Sequence, residues 1–592
     1  MKDENKNSDF SFLKKKSDFL TKILNNSIYS LDLNRLEFIK IEKLNEEKII
    51  LLTDALKTNT SLKKLLLFNN FGATGIKNLS EALKVNSTLK EIDLSKNEIG
   101  VEGSRYLSEA LKINSTLKKI GLSQNKIGPT GMKYLSEALK VNSSLENINF
   151  GDNDLEDEGM KHLSEGLKTN LSLIELDLYN NKFESEGMKY LSEALKVNSS
   201  LNNIDFREND IGVDGMKHLS DALKINGFLQ KIHFETNNLV AEGMKHLSES
   251  LKFNSSLSEL EIVGNHLEVE GIKYFSESLK VNSSLKKINL LFNNIGPEGA
   301  KYLSESLKEN SCLEKIYLST NEIRDEGAKF LSEALTVNSS LKILDVANNK
   351  IGDEGIKCLS ESLKINSSLT EIDLSSNSFK EEGEKSLSEA IKKNSSLQIL
   401  SLVFLYFGDE GIKHISEALK INSSLKQIDL CFNCFGDKGM EYLFGSLKQN
   451  SSLQKINISS NKISDFGFKQ VYDSLKLNHS ITNLEHSFDF PKNLNLMIEK
   501  MIECNEKWSF QRHPKFASSF KTAVFTFLCC SKLIEKSLNF KFGKFILIEI
   551  ITMIDRKSFL RFEFRDEMIE LGEFENSFQK EIPNRKRKHD NN

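Results

Sequence analysis

An elongated α/β solenoid is the fold this sequence predicts, and three observations predict it. A 28-residue unit repeats in fixed register over residues 89–478 of a 592-residue chain, without insertion or deletion. The first half of each unit alternates apolar and polar positions, as at Ile92 and Leu94, which is the period of a short strand. The second half carries one apolar helical stripe, Leu107, Ala110 and Leu111 in the same copy. A unit of this size buries its apolar face only against its neighbours, so the chain should offer a long surface and no enclosed pocket.

Residues 1–30 read as a tail with an amphipathic helix over 8–25. Residues 31–61 form a degenerate capping unit, with Leu36, Ile39, Ile41 and Leu44 before Leu52, Ala55 and Leu56, and no glycine. About fifteen units fill residues 62–480, the first of them one residue short between Asn70 and Phe71. Ile481 and Leu484 open one more strand before Pro491 ends the pattern. Residues 481–575 predict a small C-terminal helical domain, with helices over 494–504, 517–533, 545–554 and 559–571 and the only tryptophan, Trp508. Residues 576–592 predict a basic disordered tail.

Within a unit, each residue type has a local reason. Asn97, Asn125, Asn153 and their equivalents recur at one offset after the strand, where stacked amides can pair the backbone groups of a buried turn from coil to coil. Gly352-Asp353-Glu354-Gly355 places acidic residues at a helix start, where the dipole favours them. On the outer helix face Lys133, Glu137 and Lys140 begin three columns whose i,i+3 and i,i+4 pairs are worth about 0.2–0.5 kcal/mol each. A column mixing Tyr106, Tyr134 and His162 with Phe330 and Cys358 reads as half-buried packing, not a metal site. Asn-x-Ser/Thr triplets at the unit junctions, at Asn114, Asn142 and Asn198, would be glycan acceptors in a secreted protein. The preferred reading is that each Asn ends its helix in a left-handed cap.

The pattern Leu-x-x-Ile-x-Leu-x-x-Asn-x-Ile-Gly-x-x-Gly with a helical second half resembles the ribonuclease-inhibitor-like leucine-rich repeats, over residues 36–478. The same class occurs in the sensor arms of NOD-like receptors and in Ran GTPase-activating proteins. The resemblance implies a horseshoe, with a parallel sheet on the concave side and helices on the convex side. It says little about function.

Net charge is −4 with lysine and glutamate interspersed, which gives no reason to expect nucleic acid or a membrane as partner. Seven cysteines without framework spacing suit a reducing compartment, and a cytoplasmic monomer is expected. Arg585, Lys586, Arg587 and Lys588 are either a nuclear import signal or a solvated tail. Cys431 and Cys434 form a lone C-x-x-C where a structural zinc site needs four ligands. No phosphate loop or nucleophile motif is found, so neither catalysis nor a cofactor is expected.

The expected function is a scaffold that binds a protein on the concave face. Its central column runs through Asp177, Asp205 and Tyr317 and is mostly acidic or polar, with Arg207 projecting beside it. Departures from the template mark candidate anchors: Val263, Leu291 with Phe292, Val403 with Phe404, and Cys431 with Phe432. Leu405 takes the place of the column Asn, and the C-terminal domain could instead cover Phe404 and Phe432. Two alternatives stand beside this reading. One is activation of a Ran-like small GTPase, suggested by the resemblance and Arg207. The other is a ubiquitin-ligase adaptor acting through the C-terminal helices.

Overall fold

In the computed structural model the described residues are 38–41, 45–68, 71–487, 498–499 and 501–502. The chain divides into two compact units, residues 1–321 and 322–592. The helix expected over 8–25, those expected from residue 517 onward, Trp508 and the basic tail lie outside the described residues. Of the helix expected over 494–504, residues 498–499 and 501–502 are helical.

Strand and helix alternate throughout. Among the described residues the first unit has eleven strands, from Phe38–Ile41 to Lys315–Tyr317, and ten helices, from Glu46–Thr58 to Gly296–Glu309. The second has six of each, from the helix Arg324–Leu335 to the strand Asn483–Glu485. Inside each unit the strands pair in parallel with their neighbours, Ile92 facing Ile120 in the first and Ile372 facing Leu400 in the second. Leu65 faces Ile92, a step of 27 residues, so the shortened first repeat is absorbed without breaking the ladder. In one coil Leu117, Ile120, Leu122 and Ile127 fill the strand side, and Met132, Leu135 and Leu139 the helix side, all buried. Each such side chain contributes roughly 1.5–3 kcal/mol, and only through contact with adjacent coils.

Two columns of asparagine tie the coils. Asn125 donates from Nδ2 to the carbonyls of Leu122 in its own turn (2.9 Å) and Leu94 in the preceding one (2.9 Å), and its Oδ1 accepts from the Asn97 N–H (2.8 Å). Among the described positions of this column only Leu405 lacks an amide, and it is buried there.

The junction asparagines form the second column, and here the sequence expectation needs correction. Asn86, Asn310 and Asn394 are extended, with φ near −70 and ψ between 123 and 135, not left-handed. Their work is done by the side chain. Asn142 Oδ1 accepts from the N–H groups of Ser144 (3.0 Å) and Leu145 (2.9 Å), while Nδ2 donates to the carbonyls of Leu111 (2.7 Å) and Asn114 (3.0 Å). An amide bridging two coils supplies the closure that a left-handed residue supplies in an isolated helix. Asn142 is buried, so a glycan there would displace two internal hydrogen bonds.

Turns into the helices come in two kinds, and a single side chain one coil upstream distinguishes them. After Asp157, Asp325, Asp353, Asp409 or Asp437, that carboxylate accepts from backbone amides of the following coil. Asp409 Oδ1 takes the N–H groups of Gly436 and Gly439, both at 2.8 Å. The entering residue, Gly436, is then extended, with φ −110. After any other residue the entry is left-handed and its N–H donates to the next column asparagine, as Gly100 does to Asn125 O (2.9 Å) with φ 58. An aspartate at this helix-start position therefore caps the next helix as well as sitting on its own, whereas Glu381 does not.

Candidate protein-binding surface

In the central strands the middle residue is buried and the flanking pair half-buried, as in Asn203–Asp205, or exposed on one side, as at Lys119 and Glu175. The flanking side chains therefore line the open face of the sheet, as the alternation predicts.

On the first unit this face is charged and internally paired. Arg207 reaches back two residues, its guanidinium 2.6 Å from Asp205 Oδ2 with Nε at 2.9 and 2.7 Å from the two oxygens, and lies over the Tyr179 ring at 5.6 Å. Asp177 accepts from Asn149 Nδ2 at 2.7 Å, and burial holds its carboxyl above the usual range. His233 stands between two carboxylates, Nδ1 3.8 Å from Asp205 and Nε2 3.4 Å from Glu261. Burial outweighs both and keeps its pKa below the ordinary histidine value. Burial alone would raise Glu261, but Lys287 at 2.8 Å, His233 and Lys231 bring its carboxyl below its usual range. Lys287 also lies 5.7 Å over the half-buried Tyr317. Beyond this network Val263 and Leu291 are half-buried, whereas Phe292 is exposed with φ 63.

The second unit carries an aromatic cluster. Phe404 packs on Tyr406, ring centroids 5.2 Å apart, and on Phe432 at 5.3 Å. Their exposures are 40, 64 and 47 %, large for rings that have found one another. All three are left-handed, φ 63, 57 and 56, a region bulky side chains rarely occupy. Val403 is half-buried beside them and Cys431 is buried. Phe404 and Phe432 lie three residues past their strands, Ile399–Ser401 and Gln427–Asp429. The anchors expected on the concave wall therefore sit on the turn at its lip, because the strands end earlier than the repeat pattern suggested.

Tyr406 completes the cluster, at one of the left-handed positions that recur past the strands. One feature escaped the sequence reading. Glu384 sits where most other coils place Met, Ile or Ala, 7 % exposed, and burial and the nearby Glu381 and Asp353 push its carboxyl up to about 7. A charge at an apolar template position was the available signal. The Tyr/His column is half-buried apart from Tyr134, with lysines lying over its rings, as Lys245 does over Tyr274 at 5.7 Å. Among the described residues no group of His, Cys, Asp or Glu is placed to hold a metal, and Cys431 and Cys434 are free thiols. No described helix is long and apolar enough to cross a membrane.

The model for the leucine-rich repeat matches residues 85–108, 114–136, 141–164, 169–192, 422–444 and 449–467, each spanning parts of the strand–turn–helix unit described above. The chain is a leucine-rich-repeat protein. A model for the TMOD/LMOD leucine-rich domain matches residues 279–409 of the same repeat array. Among solved structures, the leiomodin-1 actin-binding site 2 is similar at 19 % identity, covering 26 % of this chain and 91 % of that one, with a TM-score of 0.25. A TLR13–ssRNA13 complex is similar at 17 % identity over 78 % of this leucine-rich-repeat chain and 57 % of that chain, with a TM-score of 0.42. No curated protein matches the chain.

Proposed function

We propose that this protein is a non-catalytic scaffold whose repeats capture a protein partner, with the Phe404, Tyr406 and Phe432 cluster as anchor in the second unit. One observation carries the reading: two aromatic rings packed on a third, Phe404, are held exposed with it, in a backbone conformation that costs about 1–2 kcal/mol per residue, with no structural need for aromatic side chains there. Ser376 and Ser460 take the corresponding position in neighbouring coils of the same unit. Aromatic anchors of this kind dominate binding energy in protein interfaces. Phe292 is the corresponding candidate in the first unit. Affinity capture from lysate followed by mass spectrometry tests the proposal. Alanine at Phe404 and Phe432 should remove specific partners, and an unchanged capture profile would discard the reading.

The alternative of a GTPase activator finds little in Arg207, whose guanidinium is committed to Asp205 and the Tyr179 ring. Offering it to a nucleotide would first break that pair. A GTP hydrolysis assay on a Ran-like GTPase with and without the protein decides the question. The ligase-adaptor alternative rests on residues outside the described ones.

A further inference from the structure

The edge of the first unit where helices end carries a feature unrelated to the open face. The residue just before each junction asparagine is apolar and strongly exposed in coil after coil: Val141, Val197, Ile225, Phe253 and Val281 are 61–74 % exposed. Leu171, two residues beyond Thr169 in the intervening coil, is 71 % exposed and keeps the row apolar. Ile174 and Phe228 widen it.

The fold does not require these side chains. The only backbone duty at the position is an N–H donated to the carbonyl three residues back, Val141 to Ala138 at 3.1 Å. Thr169 performs it in the first unit, and Gln449 does so in the second, with Ser446 at 3.0 Å. A polar residue would therefore serve, yet the row of the first unit is apolar nearly throughout.

We propose that this edge is the contact between two copies of the chain, related by a two-fold axis. Three observations favour a second copy over other occupants. The row repeats at a fixed step of 28 residues, so an antiparallel copy matches it knob for knob, whereas a partner of unrelated pitch falls out of register. In four of these five coils the lysine preceding the apolar residue is paired with an acid three residues earlier. Lys140 pairs with Glu137 at 2.5 Å, Lys224 with Asp221 at 3.0 Å and Lys280 with Glu277 at 2.7 Å, so facing edges do not repel and an anionic lipid surface finds no net attraction. Side chains 61–74 % exposed in coil after coil make a repeated apolar row of the kind that marks an association surface in soluble proteins.

Sedimentation of the full chain over a range of concentrations tests this. The wild type should sediment at twice the chain mass, and Ile225→Asp with Phe253→Asp should weaken association at least a hundredfold. The milder Phe253→Ser should weaken it less while keeping the melting temperature. Phe292→Asp, on the turn past its strand and away from this edge, should leave the dimer intact, so loss of the proposed scaffold function and loss of the dimer are separate results. A wild type that is monomeric at every concentration, or a dimer that survives the double aspartate, overturns the proposal. So does flotation of the monomer on neutral phosphatidylcholine vesicles, which would assign the edge to lipid.

Discussion

The open face of the first unit and the turn lip of the second are built on the same template and end in opposite conditions. In the first, each central charge has a partner supplied by the fold: Arg207 by Asp205, Asp177 by Asn149, Glu261 by Lys287. In the second, Phe404, Tyr406 and Phe432 have chiefly one another and solvent. A repeat position whose groups are already paired has little left to offer a partner. One that holds apolar area in water has a free energy still to gain.

The sharpest way to break this contrast replaces Phe404 and Phe432 with glycine. Gly264 occupies the equivalent turn position in the first unit with φ +61, so glycine fits the backbone without strain. Partner affinity should fall by more than about thirtyfold per ring, from the ~2 kcal/mol or more typical of such anchors. The melting temperature should hold or rise. Chemical denaturation beside a binding titration separates the two; a fall in stability with unchanged affinity would make the rings structural. Next in size is Asn153→Ala. Its Nδ2 donates to Leu122 O (2.9 Å) and Phe150 O (2.8 Å) and its Oδ1 accepts from Asn125 N–H (2.9 Å). Orphaning those buried groups should cost about 3 kcal/mol. Leu405→Asn, restoring the amide that this one coil of the second unit lacks, should cost far less or stabilise.

Glu384, buried in the helix Glu381–Lys393 of the second unit, gives a pH-dependent test. Its carboxyl titrates near 7 in the fold against about 4.5 in the unfolded chain. Because the folded value is the higher, its stability contribution is fully present below 4.5 and is lost as pH rises to about 7. Glu384→Met, the residue used at the equivalent position Met440, should therefore stabilise the protein above pH 7 by about 3 kcal/mol, from 1.36 kcal/mol per unit, and much less at pH 4. A stability gain independent of pH would show that packing alone, not the buried charge, is at issue.

Much of the fold was legible because a repeat repeats its evidence. The strand period, the asparagine column and the helical stripe each recur, so a local misreading cannot shift the register. What escaped depends on partners a coil away or on the solvent side of a familiar pattern. Whether Gly352 or Gly408 adopts a left-handed turn is decided by Asp325 or Glu381, 27 residues upstream, and not by the glycine itself. Ile225 reads from its neighbours as one more apolar helix residue, and only exposure reveals it as surface. Phe404 was correctly marked as a departure but assigned to the wall, since a period of two does not say where a three-residue strand stops.

The smallest effect tests the self-sufficiency of the first unit's face. Arg207 is partly exposed, so its pair with Asp205 is worth no more than about 1 kcal/mol, and Arg207→Ala should lower stability by that much or less without changing partner capture. The informative readout is His233. Burial lowers its pKa, and Arg207 is among the cations that lower it further, while Asp205 and Glu261 act to raise it. A histidine lowered in the fold loses stability as pH falls through the ordinary value near 6.5, where the unfolded chain takes up the proton first. Removing Arg207 deletes a repelling charge and frees Asp205 to pair with the imidazolium 3.8 Å away, so the His233 titration followed by NMR should move upward and the acid-side loss of stability should shrink. If His233 titrates unchanged in Arg207→Ala, the charges of this face do not act as one network, and the contrast with the aromatic lip loses its charged half.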